Sequence, residues 1–138
     1  MTYEDDDKGG CGMETVETRE LEGKALDWCV AISVRKSVLI TKNGCVWTSK
    51  NNVYKDVLDY PWNPSSNWGH GGPLIDKYGV SLTPICNNGG YMAEWDMPTG
   101  FDDYDVFEVT GDTALIAVCR AVVQQNLGFE VEVPEELL

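Results

Sequence analysis

The stretch YDVFEVTGDTALIAVCRAVVQQNLGFEVEV, residues 104–133, decides the fold, because it predicts an apolar helix with one strand before it and one strand after it. Its first and last residues alternate between apolar and polar side chains, as a half-buried strand does. Asp112 or Thr113 is suited to cap the helix, and Gly128 is suited to end it. Pro134 then stops the second strand. The apolar face of the predicted helix consists of Leu115, Ile116, Cys119, Val122, Val123 and Leu127.

The N-terminal half predicts a strand, a helix and a hairpin. The segment TVETRELEG begins like a short strand, and apolar residues then recur at helical spacing to about Val34. SVLITKNGCVWTS contains two β-rich runs around Asn43-Gly44, a dipeptide that tolerates positive φ and suits a two-residue turn. The apolar residues at helical spacing, all in the helix predicted before this hairpin, are Leu21, Leu26, Cys29, Val30 and Ile32.

The centre of the chain predicts a long loop over residues 50–68, followed by a short helix and two strands. Pro73 suits the first turn of that helix, directly after Gly72, and Gly79 suits its C-terminal cap. VSLTPIC and GYMAEW predict strands joined by residues 87–90, and the polar run MPTGFDDYD predicts a bend.

This order of elements predicts a single α+β domain. Hairpins rather than regular crossovers favour a largely antiparallel β-sheet, packed by two main helices and one short helix. The domain is expected to span residues 13–138, after an acidic and glycine-rich extension, residues 1–12, that is predicted to be disordered. The DDDK of this extension resembles part of a protease-cleavage tag, and Met13 is an alternative start.

The composition limits the classes of partner. An apolar fraction of 43% argues against disorder. The net charge of -13 repels phosphate backbones and anionic membranes, so neither direct nucleic-acid binding nor membrane binding is expected. An acidic surface attracts basic proteins instead, and mimicry of DNA is one use of that attraction.

The cysteines and the N-terminus indicate a cytosolic protein. The five cysteines show no C-x-x-C spacing, which predicts neither a disulfide framework nor a zinc site. The first residues are acidic where a signal peptide would be basic, and no apolar run is long enough to span a membrane. Four cysteines lie in apolar segments and are expected to be buried, reduced thiols: Cys29, Cys45, Cys86 and Cys119.

The single histidine, His70, limits the catalytic mechanisms open to the chain. Paired-histidine phosphoesterases and HExxH proteases each need at least two histidines. A Ser or Cys nucleophile with His70 as its base keeps a small hydrolase as a third interpretation, although no GxSxG motif is present. Asp102, Asp103 and Asp105 carry potential cation ligands, but a solvated acidic loop is the better interpretation, so no metal or other cofactor is predicted.

The segment WNPSSNWGHGGPLIDKYG, residues 62–79, is too rich in turn formers for a core element and too rich in aromatic rings for an idle linker. Its rings offer surfaces for stacking a base, and glycine amides at the predicted helix start offer donors to an anion. Together these features predict a nucleotide-sized ligand site without catalytic residues. The predicted ligand-binding residues are Trp62, Asn63, Ser65, Ser66, Asn67, Trp68, His70, Gly71, Gly72 and Trp95.

The same segment allows a structural interpretation. Trp62 and Trp68 would plug the long loop onto the sheet, and Asn63 and Asn67 would close Asx turns. His70 would then hold a structural or hydrogen-bonding position. The sequence leaves both interpretations open.

Three blocks of the chain resemble the NinX-like family of small tailed-phage proteins. The resemblance covers most of residues 17–137, with departures in the N-terminal extension and in residues 50–61 and 86–105. It implies an accessory protein that acts in the host bacterial cytoplasm, and it implies no particular activity. The blocks are ELEGKALDWCVA (20–31), NPSSNWGHGGPLIDKYGVSL (63–82) and TALIAVCRAVVQQNLGFEVEVPEEL (113–137).

The leading hypothesis is therefore a non-enzymatic phage protein that binds and sequesters a nucleotide-derived host immune signal, such as a cyclic dinucleotide. A homo-oligomer is consistent with this hypothesis, because a small domain encloses such a ligand more fully at a subunit junction. The alternative is an acidic inhibitor of a basic host protein, whose active surface would consist of Asp and Glu side chains.

Overall fold

The structure, a computed structural model, describes residues 12–34, 38–40, 46–48, 60–86 and 89–138. The helices in these residues are α1 (Gly23–Ser33), α2 (Trp68–Tyr78) and α3 (Ala114–Leu127). The strands are β1 (Met13–Glu17), β2 (Val38–Ile40), β3 (Val46–Thr48), β4 (Tyr60–Pro61), β5 (Ser81–Pro84), β6 (Tyr91–Gly100), β7 (Asp103–Gly111) and β8 (Glu130–Pro134). Two 3-10 turns, Thr18–Glu20 and Glu135–Leu137, follow β1 and β8.

The strands form three small sheets. β1 pairs with β8, β3 lies between β2 and β4, and β6 lies between β5 and β7. Every pairing between the described strands is antiparallel. The predicted α+β domain with a largely antiparallel sheet is therefore confirmed.

Helix α3 is the centre of the fold and packs against α1, α2 and the sheet β5–β7. Thr113 caps it, because its Oγ1 accepts a hydrogen bond from the Ile116 amide at 3.2 Å. Gly128 ends it with a φ of 93°. Its buried surface is wider than the single predicted face, as expected of a helix enclosed on several sides. Its fully buried residues are Ala117, Val118, Cys119, Ala121, Val122 and Val123.

The N-terminal segment of the described domain is tied to the middle of α3 and to the residue that follows it. Thr18 Oγ1 donates to the Gly128 carbonyl at 2.7 Å, just after the helix ends. Within α3, Arg120 donates from Nε to the Leu21 carbonyl and from Nη1 to the Thr110 carbonyl, both at 2.8 Å. Because these acceptors lie far apart in sequence, Arg120 joins the segment before α1 to the C-terminal end of β7.

The predicted hairpin and loop are described only in part. β2 and β3 pair as expected, with Leu39 opposite Trp47, but the predicted Asn43-Gly44 turn lies outside the described residues. Of the predicted long loop, residues 49–59 also lie outside them, and β4 occupies 60–61. Residues 1–11 are likewise not described.

The predicted start of the short helix is wrong. Helix α2 begins at Trp68, and Pro73 lies inside it. Asn67 starts the helix earlier because its side chain accepts from the Gly69 amide at 2.8 Å. Pro73 removes one backbone donor from the helix, a loss that α2 accommodates. The predicted C-terminal cap is confirmed, since Gly79 adopts a left-handed conformation with a φ of 63°.

The predicted polar bend is also wrong. β6 continues to Gly100 and β7 begins at Asp103, so only Phe101 and Asp102 form the turn. Asp102 has a φ of 65°, which Asp tolerates better than most residues. Polar side chains did not interrupt the strands, because backbone pairing in a hairpin does not require apolar residues.

The cysteine predictions are confirmed at two positions. Cys29 and Cys119 are buried and reduced, and burial raises the pKa of the Cys29 thiol to about 12. Cys86 is exposed, contrary to prediction, because β5 ends at Pro84 before reaching it. Cys45 lies outside the described residues.

Candidate functional site

The segment from Trp62 to His70 is anchored at its first ring. Trp62 is 4% exposed and belongs to the hydrophobic core. His70 stacks on it with a centroid distance of 5.1 Å and an interplanar angle of 16°. His70 Nδ1 also accepts from the Asn63 amide at 3.3 Å, which closes the turn. These contacts give Trp62 and His70 the roles of the structural interpretation.

A buried carboxylate that the sequence analysis missed holds the middle of this turn. The Ser65 amide donates to Asp27 Oδ1 at 2.8 Å, and the two residues are 8% and 6% exposed. Burial raises the pKa of Asp27 to about 6, although its hydrogen bonds with Ser65 act in the opposite direction. The available signal was the position of Asp27 among the apolar residues of α1, where an unpaired carboxylate would be costly.

The glycines of α2 serve packing. Gly71 is buried, and a Cβ placed there would lie 2.4 Å from the Pro64 carbonyl oxygen and 2.8 Å from Leu115 Cδ2. The Gly71 amide donates to the Asn67 carbonyl at 2.9 Å, so this predicted anion donor already has a partner in the first turn of α2. A Cβ at Gly72 would lie 3.6 Å from Cε3 of Trp68, which places the indole along the helix beside Gly72.

Trp68 differs from the other two predicted aromatic residues because it is 58% exposed. It lies at the edge of a hollow of about 620 Å³, in the size range of small-molecule sites. We call this concavity the helix-start hollow. It is lined by Glu22, Gly23, Ser65, Ser66, Trp68, Tyr91, Thr113, Ala114, Leu115 and Ile116.

The three described helices all begin at this hollow. Gly23 and Trp68 are the first residues of α1 and α2, and Thr113 is the N-cap of α3. A helix start carries partial positive charge, because its first amides have no partner within the helix. In α3 the Ile116 and Ala117 amides bond to Thr113, which leaves the two earlier amides, of Ala114 and Leu115, for other acceptors.

The charge of the hollow is nearly balanced. Among the residues that the structure describes, Glu22 is the only charged one that lines it. The carboxylate opposes part of the positive potential of the helix starts, so the hollow suits a ligand with a small negative charge and neutral polar groups. The sequence signal for the hollow is the Gly-Asp-Thr run at residues 111–113. By itself this run indicates only where α3 begins.

The hollow brings together three of the ten predicted ligand-binding residues: Ser65, Ser66 and Trp68. Trp95 is 4% exposed in the core and stacks on Phe107 at 6.0 Å. The remaining predicted residues do not line the hollow: Trp62, Asn63, Asn67, His70, Gly71 and Gly72.

A second hollow, of about 560 Å³, lies between α1 and the β1–β8 pair. Trp28 and Leu127 line it, with Glu130 and Glu132 as its charged residues. It contains no predicted site residue and no start of an α-helix. It therefore offers acceptors and apolar surface but not the backbone donors of the helix-start hollow.

The model of a phage protein family, described as Bacteriophage P22, NinX, matches residues 17–126. The chain belongs to this family. The match includes all three helices up to Asn126 and every residue that lines the helix-start hollow. A comparison with curated proteins finds no match. This NinX-family chain is thus a phage protein.

Two further observations concern other kinds of site. Within the described part of the chain, no three His, Cys, Asp or Glu side chains come together as metal ligands. None of the helices described there is both long enough and apolar enough to cross a bilayer.

Proposed function

We propose that this phage protein is a non-enzymatic binding protein that captures a small phosphorylated ligand in the helix-start hollow. The class that fits best is a nucleotide-derived host immune signal, which the phage would remove by sequestration. The observation that carries the proposal is the meeting of three helix starts beside an exposed tryptophan.

Two parts of the hollow suit two parts of a nucleotide, its phosphate and its base. The amides of Ala114 and Leu115 offer donors to a phosphate oxygen, and Ser66 also lines the hollow. The Trp68 indole offers a flat surface to a base, and stacking of this kind contributes ~1–3 kcal/mol per base. A volume of about 620 Å³ accommodates a nucleotide.

Family membership supports the biological part of the proposal. A phage protein acts while the infected cell responds to infection, and a protein that binds a signal tightly lowers its free concentration without any reaction. Slow release is the property that sequestration requires. The participation of His70 in the closed turn favours such a binder over a hydrolase.

The test is calorimetric titration of the purified protein with cyclic dinucleotides, cyclic ADP-ribose isomers and inorganic phosphate. We expect one nucleotide to bind and Trp68→Ala to weaken it ~10- to 100-fold, as the loss of one stacked base requires. The exposed Ser66 supplies a charge test: Ser66→Glu should weaken the same ligand, and Ser66→Lys should strengthen it.

Two results would overturn the proposal. The first is the absence of heat with every nucleotide, together with no small molecule released on denaturing protein that was incubated in lysate of infected cells. The second is a bound nucleotide whose affinity is the same in all three variants. Trp28→Phe, in the second hollow, is the control that should leave affinity unchanged.

A further inference from the structure

The β6–β7 hairpin extends well past the hydrophobic core. Trp95 and Phe107 are the last cross-strand pair with rings in or against the core. Beyond that pair, from Asp96 to Val106, every residue is exposed except the half-buried Met97. We call residues 96–106 the arm.

The two faces of the arm are reversed relative to the rest of β7. Near the core, Phe107 and Val109 point inward while Glu108 points to solvent, the expected alternation for a sheet with one wet face. In the arm, the inward positions are Asp103 and Asp105, because alternate residues share a face.

Apolar residues of the arm are exposed instead. Tyr104 and Val106 lie on the outer face and are 67% and 63% exposed, and Phe101 in the turn is 94% exposed. Pro98 lies opposite Tyr104 on the same face. Exposed apolar side chains on the outer face add nothing to the packing of the core. Aromatic rings on a projecting surface are instead typical of interface anchors.

The charges of this region have one sign. Between Lys77 and Arg120 the chain contains no Lys, Arg or His. Within it, Asp96 lies opposite Val106, and Asp105 lies opposite Met97. Asp96 therefore lies on the outer face with Tyr104 and Val106, and the exposed Asp102 is next to Phe101 in the turn, so a partner that covers the rings must supply cations for these two carboxylates.

A second copy of the chain is a poor occupant. β7 is the outer strand of its sheet among the described strands, so its free edge offers backbone pairing. Antiparallel pairing of two such edges would place Asp103 and Asp105 of one copy near those of the other. Like charges opposed across strands are destabilising, and they are a known protection of exposed edges.

We propose that the arm is a docking element for a basic protein, with Phe101 and Tyr104 inserted into an apolar cleft whose rim carries Lys and Arg. This inference is independent of the ligand proposed for the helix-start hollow, because the arm contributes no residue to that hollow.

The test uses a photo-crosslinking amino acid at Phe101, with the same group at the exposed Leu138 as a control, in protein produced in infected host cells. We expect a protein with an isoelectric point above neutrality to crosslink at Phe101 and not at Leu138. With the purified partner, affinity should fall at least ~10-fold between 50 and 300 mM salt, as for an interface with several charge pairs.

Matched variants separate the arm from the general acidity of the chain. Asp96→Asn/Asp102→Asn and Phe101→Ala should each weaken the partner at least ~10-fold with an unchanged circular dichroism spectrum. Glu130→Gln/Glu132→Gln removes the same charge from the exposed side of β8 and should have little effect. The proposal is overturned by equal crosslinking at both positions, by crosslinks only between copies of the chain, or by equal effects of the two charge pairs.

Discussion

Trp62 and Trp68 belong to one short segment, yet they have opposite environments. Trp62 is 4% exposed, stacked on His70 and enclosed by the core, whereas Trp68 is 58% exposed at the edge of a hollow. The first ring fixes the turn, and the fixed turn presents the second ring. The comparison teaches that burial gives Trp62 a structural role and leaves Trp68 as the ring to which the proposed ligand binding can apply.

The largest expected effect is at the buried ring, Trp62. Trp62→Ala should lower the free energy of unfolding by ~3–5 kcal/mol, the usual cost of truncating a buried aromatic residue. Trp68→Ala should change it by no more than ~0.5 kcal/mol, as at most exposed positions. Urea unfolding followed by circular dichroism measures both, and similar losses would contradict the division of roles.

The next prediction concerns the buried Asp27, which accepts a hydrogen bond from the Ser65 amide. Because the pKa of Asp27 rises from 3.8 to about 6 on folding, the folded state binds the proton more tightly. Protonated Asp27 therefore contributes ~3 kcal/mol to the free energy of unfolding relative to the ionised form. This contribution is fully present below pH 3.8 and is lost as pH rises through about 6.

Asp27→Asn keeps an acceptor for the Ser65 amide without a charge. The variant should match the parent protein near pH 4 and exceed its stability by ~3 kcal/mol at pH 7. Unfolding in urea at both pH values measures the difference. The exposed Asp76→Asn is the matched control, and a stability difference that does not change with pH would contradict the assignment.

A smaller effect compares two adjacent glycines. Gly71→Ala forces a Cβ against the Pro64 carbonyl and Leu115 and should cost ~1–3 kcal/mol, as overpacking does. Gly72→Ala meets only ordinary contact with Trp68, and the helix preference of Ala is offset by crowding against the ring of Pro73, so the change should cost less than ~1 kcal/mol. Thermal unfolding ranks the pair, and an equal loss at both positions would show that the whole segment resists substitution.

The smallest effect concerns the cap at the hollow. Thr113→Ala removes the acceptor for the Ile116 amide and should cost ~1 kcal/mol. Thr113→Ser retains the hydroxyl and should remain close to the parent protein in thermal unfolding. If Ser and Ala behaved alike, the hydroxyl would not be the capping group.

Elements with strong local signals were predictable from the sequence. The alternation of residues 104–110, the cap at Thr113 and the glycine at 128 each act within a few residues of the structure they specify. The start of α2 was missed because two local signals compete there, and the Asn67 cap prevails over the preference of Pro73 for a first turn.

The site was less predictable because contacts distant in sequence create it. Ser65 and Asp27 are brought together by the packing of α1 against the turn, and no periodicity reports that hydrogen bond. Tyr91 and Thr113 line the hollow although neither lies in the segment that suggested a ligand. Composition drew attention to the turn, but only tertiary packing separates its buried ring, Trp62, from its exposed ring, Trp68.

The run without cations also determines how the protein can be handled. Lys77 is the last lysine, and Arg120 lies half-buried within α3. Amine-directed dyes and coupling resins will therefore attach only within the first 77 residues and leave the arm unmodified. Residues 78–138 likewise contain a single trypsin site, after Arg120, and because it is held within α3, limited digestion of the folded chain should leave this part uncut.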